Sequence, residues 1–375
     1  MRRLVSRRSA LVGVVVPLGL ALAACSGTSN PGPGGATSAD PQLTAAPRAS
    51  FAPTTITLLA HDSFAVSKQV LAAFTARTGI TVKVVTDGDA GLVVNKAVLT
   101  AGNPEGDVLF GVDNTLLSRA VDAGTFAPYR SAALATVRPE LTALVEGNAV
   151  TPIDYGDVCV NLDDRYFAAH GLTPPTTLAD LTDPKYRDLM VVENPATSSP
   201  GLAFLLATVA RYGESGWLGY WDKLKANGVT VVNGWTEAYE GEFSAGGKGG
   251  KRPIVVSYAS SPPAEIVYAT DPKPTKPSTS VLTDGCFRQV EFAGVLRGTD
   301  KQEAARAFID FLLSQPFQRD EPLSMFVDPA VVGTPLPEVF VKFAPVPPNP
   351  LTLSPADITA NRERWIDAWS QTIAN

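Results

Sequence analysis

The chain has 375 residues, of which 45% are hydrophobic and 18% are charged, and its formal net charge is −6 at pH 7. Without residues 1–24, which contain four arginines and no acid, the net charge becomes −10. An acidic chain lacks the basic surface that nucleic-acid recognition needs, so we expect no nucleic acid as a partner. About 320 residues follow residue 54, a length that suggests two domains of roughly 100–200 residues each.

The first 24 residues have the organisation of a secretory signal. Four arginines precede the apolar run 11–22, which is too short to span a bilayer, and small residues precede Cys25. This arrangement resembles a bacterial lipobox, so we predict that residues 1–24 are removed and that Cys25 carries lipid. The alternative is a plain signal peptide that contains a cysteine. The pair Arg7-Arg8 leaves both Sec and twin-arginine export open.

Residues 26–53 consist mainly of Ser, Gly, Thr, Pro and Ala. Such a segment cannot bury enough apolar surface to fold, and we predict a flexible tether at 25–53 that starts with the lipidated Cys25. The order of signal, lipidated cysteine, tether and body predicts a protein that is exported and anchored to the outer face of the cell membrane.

Strands and helices alternate in the first part of the body. The predicted elements are a strand at 55–60, a helix that ends near Gly79, strands at 80–85 and 107–111, and a helix from 115 to 124. This β-α-β-α-β alternation is typical of an α/β domain with a mostly parallel sheet.

A second alternation follows, and then a return segment. The predicted elements are a strand at 191–193, a helix at 202–212, strands at 229–232 and 254–258, a return segment from Val290, and a helix at 302–314. The last helix has Ser354 as its N-cap and Pro355 at its first position. Trp365 and Trp369, four residues apart on this helix, are predicted core residues.

Cys159 and Cys286 are the cysteines that remain after Cys25. In an exported protein such a pair favours a disulfide, the alternative being two unpaired buried thiols. His61 and His170 are the two histidines, and no Cys/His cluster with metal-ligand spacing is present, so we predict no metal and no cofactor. The sequence contains no Gly-x-Ser-x-Gly elbow, and we predict a protein that is not an enzyme. An exported hydrolase that uses paired carboxylates is the remote alternative.

Six different short motifs occur in order along the body. They are Asp62-Ser-Phe-Ala65, 111–117, 152–156, 194–201, 234–239 and 256–262. With these motifs, residues 55–374 resemble the thiamine-binding periplasmic proteins of bacterial thiamine ABC transporters. The resemblance implies a type II periplasmic-binding-protein fold, in which two α/β lobes are joined by hinge strands and the ligand cleft lies between them. It also implies a monomer that delivers its ligand to a membrane permease.

The resemblance implies bounds for the two lobes. Lobe 1 comprises 54–157 and 287–375, and lobe 2 comprises 158–286. Hinge strands are expected near 158–161 and 290–292. Cys159 and Cys286 lie beside these strands, where a disulfide would tie the hinge.

Thiamine combines a cationic thiazolium, an aminopyrimidine and a hydroxyethyl arm that carries phosphate in the phosphorylated forms. The rings and the cation favour aromatic faces and carboxylates, whereas a phosphate favours hydroxyls and helix N-termini. Two Ser-Ser-Pro helix openings, at Ser198-Ser199 and Ser260-Ser261, fit an anion, although the sequence alone favours ordinary N-capping.

The resemblance implies two groups of ligand contacts. The first comprises Asp89, Ala90, Ser198, Ser199, Trp235, Tyr258, Ala259, Ser260 and Ser261. The second comprises His61, Asp113, Tyr155 and Phe326. His61 stands where relatives have tyrosine, Ala90 where they have glycine, and Phe326 where a relative has tryptophan. These differences leave the choice between thiamine and its mono- or diphosphate open, together with a polyamine or another small cationic or phosphorylated solute.

Overall fold

The computed structural model describes residues 51–374, so the predicted signal peptide, the lipidation site Cys25 and most of the tether lie outside the described residues. Phe51 donates its backbone N–H to the carbonyl of Thr78 at 3.1 Å and packs against the core. Phe51, three residues before the predicted start of lobe 1, therefore contacts the body.

Ten strands of the described residues form one mixed sheet with the order β2-β1-β3-β9-β5-β8-β6-β7, in which β10 pairs with β5 and β4 with β9. The strands are β1 Thr54–Ala60, β2 Ile80–Thr86, β3 Val108–Asp113, β4 Phe126–Ala127, β5 Thr151–Asp163, β6 Met190–Glu193, β7 Thr230–Val232, β8 Ile254–Tyr258, β9 Thr279–Leu296 and β10 Asp328–Pro329.

Helices flank this sheet. They are α1 Lys68–Thr78, α2 Ala90–Leu99, α3 Leu117–Asp122, α4 Pro139–Thr142, α5 Asp164–His170, α6 Ser199–Tyr212, α7 Trp217–Ala226, α8 Pro263–Val267, α9 Gln302–Leu312, α10 Gln315–Gln318, α11 Glu321–Ser324, α12 Glu338–Phe343 and α13 Pro355–Ala374. Short 3-10 turns lie at Ala132–Thr136, Ala179–Thr182 and Pro184–Tyr186, and a π-helical segment at Thr236–Glu242. Within the described range, no helix combines the length and the apolar character needed to cross a membrane.

Strands β5 and β9 are long, and they connect two halves of the sheet. They pair antiparallel from Thr151 opposite Ala293 to Asp163 opposite Thr279. Strand β3 pairs with the C-terminal end of β9, whereas β8 pairs with the C-terminal end of β5. The two long strands therefore cross from a β1–β3 half to a β6–β8 half. Pairing is parallel within each half and antiparallel along the crossing strands.

Strand β9 begins at Thr279, well before the predicted return segment at Val290. The pairing with β5 shifts register between Val158 and Val160, so the residues of β9 around Gly285 bulge. Gly285 has φ +79°, and a Cβ there would lie 2.2 Å from the side chain of Leu178. Only glycine fits this bulge, which allows β9 to continue through a segment whose Asp-Gly pair is typical of a turn.

A disulfide joins Cys159 on β5 to Cys286 on β9 at this bulge, with the two Cα atoms 4.4 Å apart. Both cysteines are buried, and Ala259 packs beside them. The bond therefore ties the two crossing strands to each other where they pass between the halves of the sheet.

The C-terminal helix α13 closes the core as the sequence predicts. Ser354 caps it, because its hydroxyl accepts the backbone N–H of Asp357 at 3.0 Å. Trp365 and Trp369 are each 2% exposed, and Trp369 packs edge-on against Trp221 with ring centroids 5.5 Å apart. The predicted core positions of both tryptophans are confirmed.

Candidate ligand-binding site

A cavity of about 280 Å³ lies where the crossing strands meet residues from both halves of the sheet. Six aromatic rings line it, those of His61, Trp235, Tyr239, Tyr258, Tyr268 and Phe326. Three carboxyl groups also line it, those of Asp154, Glu240 and Glu291. No lysine or arginine of residues 51–374 is among the lining residues, so the cavity presents flat π-faces and acids without a built-in cation.

One wall of the cavity is built on the turn that follows β7. Trp235 stacks on Tyr239 with ring centroids 5.0 Å apart and planes at 13°. The indole Nε1 donates to Ser257 Oγ at 2.8 Å, and that hydroxyl also lies 2.9 Å from Ser261 Oγ. The hydroxyl of Tyr258 donates to Gln289 Oε1 at 3.1 Å. These bonds hold the rings in place before any ligand arrives.

His61 and Phe326 contribute the facing side. The residue His61 is 8% exposed, and its Nδ1 lies 2.8 Å from Ser63 Oγ. Burial lowers the pKa of His61 to about 4, so the ring is neutral at neutral pH and adds no positive charge to the cavity. The ring of Phe326 stacks on Phe340 with centroids 6.0 Å apart, and Tyr268 packs 5.5 Å away.

Asp154 and Glu291 form a carboxyl pair in the cavity lining. They are register partners on β5 and β9, and each carboxyl group lies close enough to affect the pKa of the other. Burial raises the pKa of Asp154 to about 7 and that of Glu291 well above its usual range. The nearby Arg288 is bound to Asp157 at 2.7 Å instead. Two neighbouring buried carboxyl groups cannot both ionise readily, so the pair retains a proton near neutral pH.

Asp89 lies outside the cavity lining, where it is bonded to other predicted ligand contacts. Its carboxylate accepts Ser198 Oγ–H at 2.9 Å, Ser199 N–H at 3.0 Å and Trp235 N–H at 2.9 Å. Burial outweighs these three donors and raises the pKa of Asp89 to about 6. Ala90 is the first residue of α2, directly behind this carboxylate.

Asp113 belongs to the same cluster. It is fully buried, and it accepts the hydroxyl of Ser199 and the backbone N–H of Thr115, the latter at 2.7 Å. Gln289, which lines the cavity, donates to Ser199 Oγ at 2.9 Å. Gln289 therefore connects the Asp89–Asp113 cluster to the cavity.

The remaining predicted contacts lie elsewhere. The Tyr155 ring lies off the cavity, between Arg138 and Arg288, whose guanidinium carbons are 5.4 and 5.0 Å from its centroid. Ala259 packs beside the disulfide. Ser260 Oγ donates to the Phe326 carbonyl at 2.5 Å. Of the predicted contacts, five line the cavity: His61, Trp235, Tyr258, Ser261 and Phe326.

Several lining residues were not predicted as contacts. Asp154 and Tyr239 lie inside motifs 152–156 and 234–239, next to the predicted contacts Tyr155 and Trp235. Their place in these motifs is the signal that could have identified them. Glu291 lies in the predicted return segment and Gln289 directly before it, but the direction of their side chains depends on the pairing of β9 with β5. Tyr268 and Met325 carried no signal in the sequence.

An α/β sheet with two halves, long crossing strands and a preformed aromatic cavity defines a receptor for a small solute. Residues 103–338 match the family described as bacterial extracellular solute-binding protein, and the chain belongs to this family. The predicted family and the predicted periplasmic-binding-protein fold are confirmed.

Several relatives at 28–30% identity have thiamine in their names. The chain is 30% identical to the thiamine-binding periplasmic protein of Escherichia coli K12 over 328 residues, which is 86% of this chain and 95% of that protein. A solved periplasmic thiamin binding protein superposes with a TM-score of 0.76 at 28% identity, covering 88% of this chain and 99% of the other. The fructose-6-phosphate-bound AfuA of Actinobacillus pleuropneumoniae has a TM-score of 0.72 at 16% identity, over 86% of this chain and 99% of AfuA, and shares the fold alone.

Proposed function

We propose that this chain captures thiamine or a thiamine phosphate outside the cytoplasm and delivers it to an ABC importer. The observation that carries the proposal is the cavity, which combines six aromatic rings and three acids with no lining lysine or arginine. A thiazolium is flat and permanently cationic, so it gains from both π-faces and carboxylates. The names of the relatives at 28–30% identity point to the same ligand.

Capture works by closure of the two halves around the ligand. The Trp235–Tyr239 stack and Tyr258 offer faces to the rings, and the Asp154–Glu291 pair supplies negative charge to the cation. In the structure, contacts such as Ser198–Asp89 already join the two halves. The closed form is the one that would dock on the permease.

The cellular setting belongs to the proposal as well. Export through the signal at 1–24, a lipid on Cys25 and the tether to residue 53 would hold a monomeric body beside the membrane that contains its permease. We propose binding rather than catalysis, because the cavity is built for ring and charge recognition and the named relatives are binding proteins.

A polyamine is the second candidate, because the carboxyl pair would also suit an ammonium group. Native mass spectrometry of the mature protein, purified without added ligand, separates the two. We expect a bound mass that corresponds to thiamine or one of its phosphates, since closed binding proteins retain their ligands. A bound polyamine mass would contradict the proposal.

Ligand affinity is expected to rise with pH between 6 and 8. Because the pKa of Asp154 is raised to about 7, the empty cavity holds protons that a bound cation displaces. Each proton released contributes at most about tenfold in affinity per pH unit. Calorimetry in two buffers with different ionisation enthalpies counts the released protons directly. A pH-independent affinity with no proton release would contradict this assignment of the pair.

The raised pKa of Asp154 also makes the stability of the ligand-free protein depend on pH. A carboxyl group whose pKa is raised on folding stabilises the fold below its unfolded pKa, and this stabilisation is lost as pH rises through the folded pKa. We therefore expect the melting temperature of the Asp154→Asn variant, relative to wild type, to increase from pH 5 to pH 8. A constant difference across this range would show that Asp154 does not titrate there.

A further inference from the structure

A glycine-rich loop, residues 244–252, folds back over the π-helical segment that precedes it. Lys248 in the loop donates its backbone N–H to the carbonyl of Glu240 at 3.0 Å, and Arg252 donates to the carbonyl of Glu242 at 2.9 Å. The loop therefore supplies donors for carbonyl groups of the π-helical segment, and the two pack as one unit.

Two glycines of the loop lie too close to the π-helical segment to carry a side chain. A Cβ on Gly246 would overlap the carbonyl oxygen of Tyr239, and a Cβ on Gly250 would overlap that of Glu242. Because a close-packed interior cannot absorb such an overlap, a side chain at either position would push the segment away from the loop. Gly241, on the segment itself, has open space where a Cβ would lie.

The π-helical segment forms part of the cavity wall. Trp235 directly before it, and Tyr239 and Glu240 within it, all line the cavity. Tyr239 stacks on Trp235, and its ring centroid lies 5.3 Å from that of the buried Phe243. A π-helical segment is uncommon and often marks a functional site. Its conformation here determines where two aromatic faces and one carboxyl group meet a ligand.

The loop is also fixed to a crossing strand. The hydroxyl of Ser244 donates to Asp163 Oδ2 at 2.6 Å, and Asp163 is the buried last residue of β5. The backbone N–H of Ser244 donates to the carbonyl of Arg252 at 2.9 Å, which closes the loop. The loop thus connects the crossing strand β5 to the wall of the cavity.

We propose that Gly246 and Gly250 are positioning residues of the binding site, which hold the π-helical segment in the conformation that presents its aromatic and acidic side chains to the ligand. Neither glycine lines the cavity, so each acts through the segment and not on the ligand itself. The inference rests on the proposed function for the choice of thiamine as the probe.

The test measures thiamine affinity by calorimetry on the full mature protein. Gly246→Ala and Gly250→Ala should each lower the affinity at least about tenfold, since displaced rings lose much of their stacking on the cation. Gly241→Ala is the matched control, because it makes the same change on the segment where a Cβ has room, and its affinity should stay within about twofold of wild type. In the Trp235→Ala background, each loop variant should cost less than about threefold, because one ring that it would displace is gone.

A second readout needs no ligand. Near-UV circular dichroism of the ligand-free protein detects the Trp235–Tyr239 stack, so Gly250→Ala should change the spectrum in wild type but not in the Trp235→Ala background. If wild type binds no thiamine, the proposed function fails, and the spectra still decide the inference. Equal spectral changes in both backgrounds, or equal losses of affinity, would overturn it, because they would show a general loss of structure.

Hydrogen exchange on wild type covers the case in which the loop variants do not fold. Saturating thiamine should slow the exchange of the Lys248 and Arg252 amides, because the ligand fixes the segment whose carbonyl groups accept them. The amides of residues 143–149, in a loop that does not line the cavity, are the reference. An equal change in the two loops would contradict the inference.

Discussion

Replacing both members of the carboxyl pair, Asp154→Asn with Glu291→Gln, should lower the affinity for thiamine by at least about 100-fold, or about 3 kcal/mol. The size of the effect follows from burial, because Asp154 is 0% and Glu291 8% exposed and no lysine or arginine lines the described cavity. A cation that enters would lose its water and would find two neutral amides in place of the pair, with Glu240 as the lining carboxyl group that remains. Calorimetric titration at pH 7.5 measures the loss.

The design includes its own control for folding. Buried carboxyl groups without a cation destabilise a fold, so the double variant should melt at or above the wild-type temperature near pH 7.5. A matched pair of exposed acids, Asp122→Asn with Glu140→Gln, removes the same formal charge from the surface. That control should retain thiamine affinity within about twofold, because exposed charges are screened by solvent and salt. Equal losses in both double variants would mean that net charge, and not the pair, attracts the ligand.

The second large effect is expected at Trp235. Truncation to alanine should weaken thiamine binding by about 30-fold, or roughly 2 kcal/mol, since a tryptophan face at a binding site contributes about this much to a stacked cation. The backbone N–H that Trp235 donates to Asp89 remains in the variant. The loss of affinity therefore measures the contribution of the indole ring. Calorimetry is the appropriate measurement, because it does not depend on the fluorescence of the tryptophan that is removed.

Two further variants, Trp235→Phe and Tyr258→Ala, distinguish the role of the aromatic rings from that of their hydrogen bonds. Trp235→Phe loses the indole N–H that donates to Ser257 but keeps an aromatic face. Because that face is what the ligand would stack on, we expect most of the affinity to remain. Tyr258→Ala should also weaken binding, because its ring lines the cavity and its hydroxyl orients Gln289. If both alanine variants bind thiamine as wild type does, the ligand lies elsewhere.

Local patterns in the sequence predict most of the fold. The run of β-branched residues at 254–258 predicts β8 with the bounds that the structure shows, and Ser354-Pro355 predicts the start of α13. Helix α2, Ala90–Leu99, was not predicted, because Gly91 in its first turn and two adjacent valines are poor helix formers. Its contacts with the sheet and with α6 override that local preference.

The candidate site was predicted less completely, because its arrangement depends on pairing over long sequence distances. The motifs, for Trp235 and Tyr258, and the resemblance, for Phe326, identified three aromatic contacts, and the structure places all three in the cavity lining. They could not reveal that Glu291 faces Asp154, which depends on the register of two crossing strands. Nor could they show that Asp89 is bonded to Ser198, a residue 109 positions away.

One measurement tests the central claim most directly: calorimetric titration of the mature protein with thiamine, and in parallel with spermidine, at pH 7.5. The aromatic and acidic cavity predicts one thiamine site per chain with micromolar or tighter affinity and at least about tenfold weaker binding of spermidine, which has charge but no rings. No heat of binding with thiamine, or tighter binding of spermidine, would contradict the account.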